Sequence, residues 1–231
     1  MIYLLISMTL KQKYFSNRNN ELSKINSDIT YKRHAKSLGI INQLLEISNL
    51  RKVDETSRLL DVGSGDGTLL DYLNSKNITN KGCDIEDANL EKDSLPFEDS
   101  SFSHVLLYAV IEHIKNTDHL ISEIRRVLKK DGNLILITPN FRYCYDTFYD
   151  DPTHIKPFTD RSISELLKIM NFKNINVRPW TSNLIKIIWK LPFSFFYCAK
   201  IIPFRNDDSL KFLPSFLKGK SKTLVAVCQK N

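Results

Sequence analysis

Three of the seven glycines fall within Leu60-Asp-Val-Gly-Ser-Gly-Asp-Gly67. The preceding run Arg58-Leu-Leu-Asp-Val62 reads as a short strand, and residues 67–75 read as a helix. Glycines at such a turn let the backbone approach a ligand closely. The N–H groups that open the helix suit an anionic group. The spacing is GxGxG, unlike the GxGxxG of dinucleotide sites, and Thr68 stands where that pattern wants Gly or Ala. Asp61, two residues ahead of the glycines, would not help a pyrophosphate, but it can receive an ammonium group directly or through water. A ligand with both ammonium and carboxylate is an amino acid. Asp84 ends the second predicted strand, residues 80–85, about 20 residues past the glycines, where an acid holds two ribose hydroxyls. An amino acid joined to a nucleoside is S-adenosylmethionine. The residues predicted to hold it are Asp61, Gly63, Ser64, Gly65, Asp84 and Ile85.

Acid–base chemistry falls to His113 and His154, because neutral imidazole is available at physiological pH. His113 follows a buried strand, Phe102 to Tyr108, and could act as a base or pack at a helix start. Glu112 beside it could orient a cofactor or a loop. His154 lies in Asp150-Asp-Pro-Thr-His-Ile-Lys-Pro-Phe158, a segment crowded by Phe141, Tyr143, Tyr145, Phe148 and Tyr149. Its two readings are fixing that loop and serving substrate. No cysteine or histidine spacing suggests a metal site, so none is expected. Cys83, Cys144, Cys198 and Cys228 are expected to be reduced thiols.

Strands separated by helices imply parallel pairing, with ligands beyond the carboxyl ends of the strands. That rule adds Tyr108 to the cofactor set. The remaining predicted elements are a helix from His34 to Asn49, a helix over 118–130 ended by Asp131-Gly132, a strand over 133–138, a helix over 160–170 capped by Thr159 or Asp160, and strands over 174–178 and 223–228.

From Leu59 to Phe172 the sequence resembles the class I S-adenosylmethionine-dependent methyltransferases. Leu60 to Gly67 resembles their first motif and Asp84 their ribose-binding acid. Leu95-Pro-Phe97 with Ser101-Phe102 resembles their LPF…SFD segment, with Ser103 in place of the Asp. Val110-Ile-Glu-His-Ile114, Arg125-Arg-Val-Leu-Lys129 with Asp131-Gly132, and Thr138-Pro-Asn140 resemble later motifs, and Asp151 to Thr159 resembles a D-x-T-H…F-T segment. The resemblance implies a Rossmann-like, doubly wound α/β sheet of seven strands, mostly parallel with an antiparallel last strand. It also implies a methyl acceptor. Only about ten residues separate Asp84 from Leu95, so the usual intervening helix must be lost or very short. The adenine contact is assigned to Asn89-Leu90, with Asp93 as the alternative.

The expected organisation is a helical cap over 1–50, a cofactor-binding core over 51–180, a basic apolar insertion over 181–222 and a final core strand over 223–231. The composition, 42% hydrophobic and 26% charged, excludes wholesale disorder and fibrous repeats. The net charge of +7 is uneven: from Arg178 onward there are 10 basic and 2 acidic residues, a net of +8. Within residues 184–222, those from Leu184 to Phe204 mix Lys with Trp, Phe and Ile, and contain too many charges and prolines to span a membrane. They suit an anionic membrane surface, with a homodimer face or core packing as the competing readings. Nucleic acid is disfavoured, because aliphatic and aromatic side chains outweigh any basic stripe. The acceptor classes this leaves are a small molecule, a lipid or a lipid-linked sugar, with RNA or protein methylation and a non-catalytic scaffold as alternatives. The N-terminal apolar run lacks a basic lead and a cleavage site, and Met8 is a second candidate start. The expected location is cytoplasmic, with peripheral contact to the membrane.

Overall fold

The computed structural model describes residues 27–180, 204–205 and 218–231, together with Lys13 and Asn17. Most of the 184–222 segment assigned to a membrane or dimer surface, and Cys198, lie outside the described residues. In chain order the elements are α1 (Ser27–Ile47), β1 (Arg58–Val62), α2 (Thr68–Asn74), β2 (Thr79–Cys83), β3 (Phe102–Tyr108), α3 (Thr117–Val127), β4 (Leu128–Pro139), the single turn α4 (Phe141–Cys144), α5 (Asp160–Ile169), β5 (Phe172–Pro179), β6 (Phe204–Arg205), β7 (Lys218–Lys220) and β8 (Thr223–Lys230).

The main sheet runs β2-β1-β3-β4-β8-β5, and β6 pairs separately with β7. β1, β2, β3 and β4 are mutually parallel, and β8 is antiparallel to both of its neighbours. The antiparallel last strand is as expected, but among the described residues the main sheet has six strands instead of seven. The missing strand has a local cause. After β2 the chain passes through turns as far as Ser101, and no described strand pairs with the outer edge of β2. A stretch that short cannot form both a crossover helix and another parallel strand.

Both faces of the sheet are covered. On one, Ile40, Ile41, Leu44 and Leu45 of α1 pack with Leu59, Leu106, Ile135, Val225 and Val227. On the other, Leu120, Ile121, Ile124 and Val127 of α3 join Val105, Leu107, Leu134 and Leu136. Each of these side chains contributes about 1.5–3 kcal/mol by leaving water. Asn116 caps α3 by accepting from the His119 N–H, and the helix stops at Val127, three residues before the expected end, because Leu128 is already extended. Thr159 is the α5 cap, in a reciprocal capping box with Ser162.

Two sequence motifs acquire physical reasons. The Arg126 guanidinium donates to the carbonyls of Leu95 and Phe97 and to Asp99 and Glu123, so α3 clasps the Leu95-Pro-Phe97 segment. Ser103, which stands in place of an Asp, still serves the neighbouring strand: its Oγ accepts from the Arg58 N–H at 2.9 Å.

Candidate active site

The carboxyl ends of β1, β2 and β3 open onto a cavity of about 980 Å³. Its lining includes Asp61, Gly63, Ser64, Gly65, Asp84, Ile85, Asn89, Leu90 and Tyr108. The fold therefore brings all of the cofactor residues predicted from sequence onto one surface. Asp93 is not in that lining; its carboxylate accepts from the Asn89 N–H at 2.9 Å and shapes the turn carrying Asn89.

The glycine loop is built by mutual bonds. Gly63 N–H donates to the Cys83 carbonyl at 2.7 Å, holding the loop against the end of β2. Gly65 N–H donates to Asp84 Oδ2 at 2.6 Å, while Asp84 Oδ1 accepts from the Ile85 N–H at 2.6 Å. Asp84 thus tethers the loop as well as facing the cavity. Gly82, which the sequence pattern did not single out, matters here because a Cβ on it would press on Ser64 and Leu70.

Asp61 is 3% exposed, and its Oδ1 is buried without a hydrogen-bond partner among the described residues. Its pKa is raised to about 7, first by burial, then by the nearby carboxylates of Asp84 and Asp66. A buried carboxylate oxygen on a cavity wall is completed by a cationic donor. An ammonium group meets that need, and the Asp84 carboxylate has further acceptor capacity for hydroxyls. The residues present therefore fit S-adenosylmethionine.

The helix α1 closes the cavity from above with Arg33, His34, Ser37, Leu38 and Ile41. None of these was predicted as a site residue, although 34, 38 and 41 share one helical face. Thr68 Oγ1 donates to Asp66 at 2.8 Å and so accepts from His34 Nε2 at 3.1 Å, fastening the lid to the start of α2. Burial and the adjacent Arg33 hold the His34 pKa down, consistent with a neutral ring in this role.

His113 lines the cavity, whereas His154 does not. His154 stacks on Phe148 with ring centroids 4.5 Å apart and packs 4.7 Å from the His113 ring. His154 is thus placed behind His113, a position that its sequence neighbourhood did not reveal. Ala109, between β3 and this turn, adopts a left-handed backbone at φ 53° and also lines the cavity.

Comparison with known proteins is consistent with this geometry. A family model described as a methyltransferase domain matches residues 31–177. An uncharacterized protein of Methanocaldococcus jannaschii is 26% identical over 162 residues, covering 63% of this chain and 78% of its own. A Mycolicibacterium smegmatis protein named "Probable S-adenosylmethionine-dependent methyltransferase" is 32% identical over 93 residues, covering 39% of this chain and 35% of its own. The crystal structure of an S-adenosylmethionine-dependent methyltransferase from Archaeoglobus fulgidus shares the fold with a TM-score of 0.54 at 16% identity, over 89% of this chain and 95% of that one. With its fold, its unsatisfied buried Asp61 and its domain match together, this chain belongs to the methyltransferase-domain family and is an S-adenosylmethionine-dependent methyltransferase.

Proposed function

We propose that the methyl acceptor is a small molecule with an apolar portion, a lipid or lipid-linked sugar being included in that class. One observation carries this reading. Beyond the cofactor loops the cavity wall continues through Leu38, Ile41, Val53, Leu59, Leu106 and Ile135 between α1 and the sheet. Its volume is at the upper end of small-molecule sites, roughly 300–1,000 Å³, which leaves room for an acceptor beside a cofactor. A lid helix over an apolar wall suits a compact guest better than an RNA or protein chain. Arg33 in the same lining favours an acceptor with an anionic group. Residues 184–222, rich in Lys with Trp and Phe, fit the same class by suiting an anionic lipid surface.

Bound S-adenosylmethionine supplies an activated methyl group on a sulfonium, so the chain mainly contributes position and electrostatics. Asp61 faces the ammonium group, Asp84 the ribose, and Asn89 with Leu90 the adenine. Tyr108 and His113 form the wall toward the acceptor, with His113 bringing acid–base capacity.

The test is to incubate the protein with isotopically methyl-labelled S-adenosylmethionine and cell extract supplied with anionic vesicles. Label should partition into the organic-extractable or small-molecule fraction, and the protein should sediment with the vesicles at low salt. Label confined to RNA or protein would overturn the acceptor class.

Asp84→Ala supplies a second check. It removes two acceptor oxygens and the tether on Gly65, so cofactor binding should weaken by about 1–3 kcal/mol. Unchanged affinity in calorimetry would move the ribose site elsewhere.

A further inference from the structure

The loop after β4 folds back onto the turn after β3. Ile155 and Lys156 N–H groups both donate to the Glu112 carbonyl at 3.0 Å. This clip gathers Glu112, His113 and His154, and one ligand atom from each lies within 4.8 Å of the others. Glu112 and His113 are buried, and the His154 side chain is only 14% exposed.

Proton accounting fixes both rings. The Phe148 carbonyl can only accept, so His154 Nδ1, 2.5 Å away, carries a proton. Thr153 Oγ1 donates its single proton to Asp151 Oδ1 at 2.5 Å, and therefore accepts from His113 Nδ1 at 2.9 Å. In each neutral ring the nitrogen left to act as an acceptor or ligand is Nε2. Metal-binding histidines are oriented in this way, by giving the other ring N–H to a fixed oxygen. Glu112 is oriented too, with Oε2 accepting from Thr138 Oγ1 at 3.0 Å. Loop fixing accounts for the Nδ1 bonds and for the Asp151 carboxylate, whose Oδ2 lies 4.0 Å from His154 Nε2, and a general base needs one imidazole. Neither calls for two imidazoles and an oriented carboxylate gathered at one place.

We propose that Glu112, His113 and His154 hold a divalent first-row transition-metal ion, and that the ion takes an oxygen atom of the acceptor as a further ligand. Two imidazoles and one carboxylate suit Zn²⁺ and its neighbours, whereas Mg²⁺ and Ca²⁺ prefer all-oxygen sets. Ligands held at about 2.0–2.2 Å from an ion lie closer together than the present cluster, so small ring and carboxylate rotations accompany binding. Among the three, His113 lines the cavity, so the ion meets the acceptor on that side. Ligation there acidifies an acceptor hydroxyl: its O–H bond breaks, the proton leaves to solvent, and the oxygen keeps the electron pair. This use of the ion rests on the acceptor reading above; the ion site itself does not.

The experiment is calorimetric titration of metal-free protein with Zn²⁺. One ion should bind per chain, and Glu112→Gln and His154→Ala should each weaken binding about tenfold or more. A separate S-adenosylmethionine titration of each variant confirms that the fold survives. In the wild-type protein, imidazole ¹⁵N spectra should show Zn²⁺ moving the Nε2 signals of His113 and His154, with His34, His104 and His119 unmoved. No saturable zinc binding, equal affinity in both variants and wild type, or shifts at the other histidines would overturn the site. The label-partition result leaves these readouts unchanged, so the ion site and the acceptor reading fail separately.

Discussion

Affinity for S-adenosylmethionine should rise as pH increases from about 5 to about 7 and level off above it, because Asp61 has its pKa raised to about 7 in the ligand-free protein. Below that value Asp61 carries a proton, and pairing with an ammonium group must release it. The slope should approach tenfold per pH unit on the acidic side, one proton being exchanged. Asp61→Asn should bind more weakly and lose this slope. Calorimetry in two buffers of different ionisation enthalpy reads the released proton directly. An affinity independent of pH across this window would sink the assignment of the ammonium to Asp61.

The same residue makes a stability prediction of opposite sense. A carboxyl whose folded pKa is raised contributes stability that is present below its unfolded value and lost as pH rises through the folded value. Here the window runs from the ordinary carboxyl value of 3.8 to about 7. A shift of this size corresponds to about 4 kcal/mol, in order of magnitude. Without cofactor, therefore, Asp61→Asn should melt at a higher temperature than wild type at about pH 8, and the difference should shrink toward acidic pH. Such an outcome would mark Asp61 as a position kept for the ligand at the expense of the empty fold. A variant less stable than wild type at the higher pH would show that the buried charge is compensated in some other way.

Strand ends made much of this site legible in advance. Scarce glycines after one strand and an acid after the next pointed to the cavity wall, because both lie where a parallel sheet opens. The lid was hidden for a physical reason: Arg33, His34 and Ser37 occupy an ordinary amphipathic helix, and only its placement over β1 and β3 turns them toward the cavity. The grouping of Glu112, His113 and His154 was equally hidden, since it depends on backbone bonds from Ile155 and Lys156 to Glu112 across distant loops. The seventh strand was expected from resemblance, although the short span between Asp84 and Leu95 already left little room for it. Gly63 teaches a further point. Besides lining the cavity it answers to protein packing, which its place in the sequence did not reveal, because Val110 lies against the position a Cβ would take.

A Cβ placed on Gly63 would overlap Val110 Cγ2, and Gly63 itself sits at φ +80°. Gly63→Ala should therefore lose stability in two ways. The left-handed backbone costs about 1–2 kcal/mol for a residue with a Cβ, and overpacking against Val110 adds about 1–3 kcal/mol. The sum lowers the melting temperature by about 5–15 °C for a chain of this size. Val110→Ala removes the obstructing methyl groups, so the double variant Gly63→Ala/Val110→Ala should lose less stability than the two single variants added together. The overlap part of the cost should be recovered and the backbone part should remain. Since Val110 leads directly into the turn carrying Glu112 and His113, the single Gly63→Ala variant should also push that turn away from the cofactor loop. Thermal unfolding of the four proteins in the cycle measures the coupling, and strictly additive losses would show that Gly63 answers to its backbone angle alone.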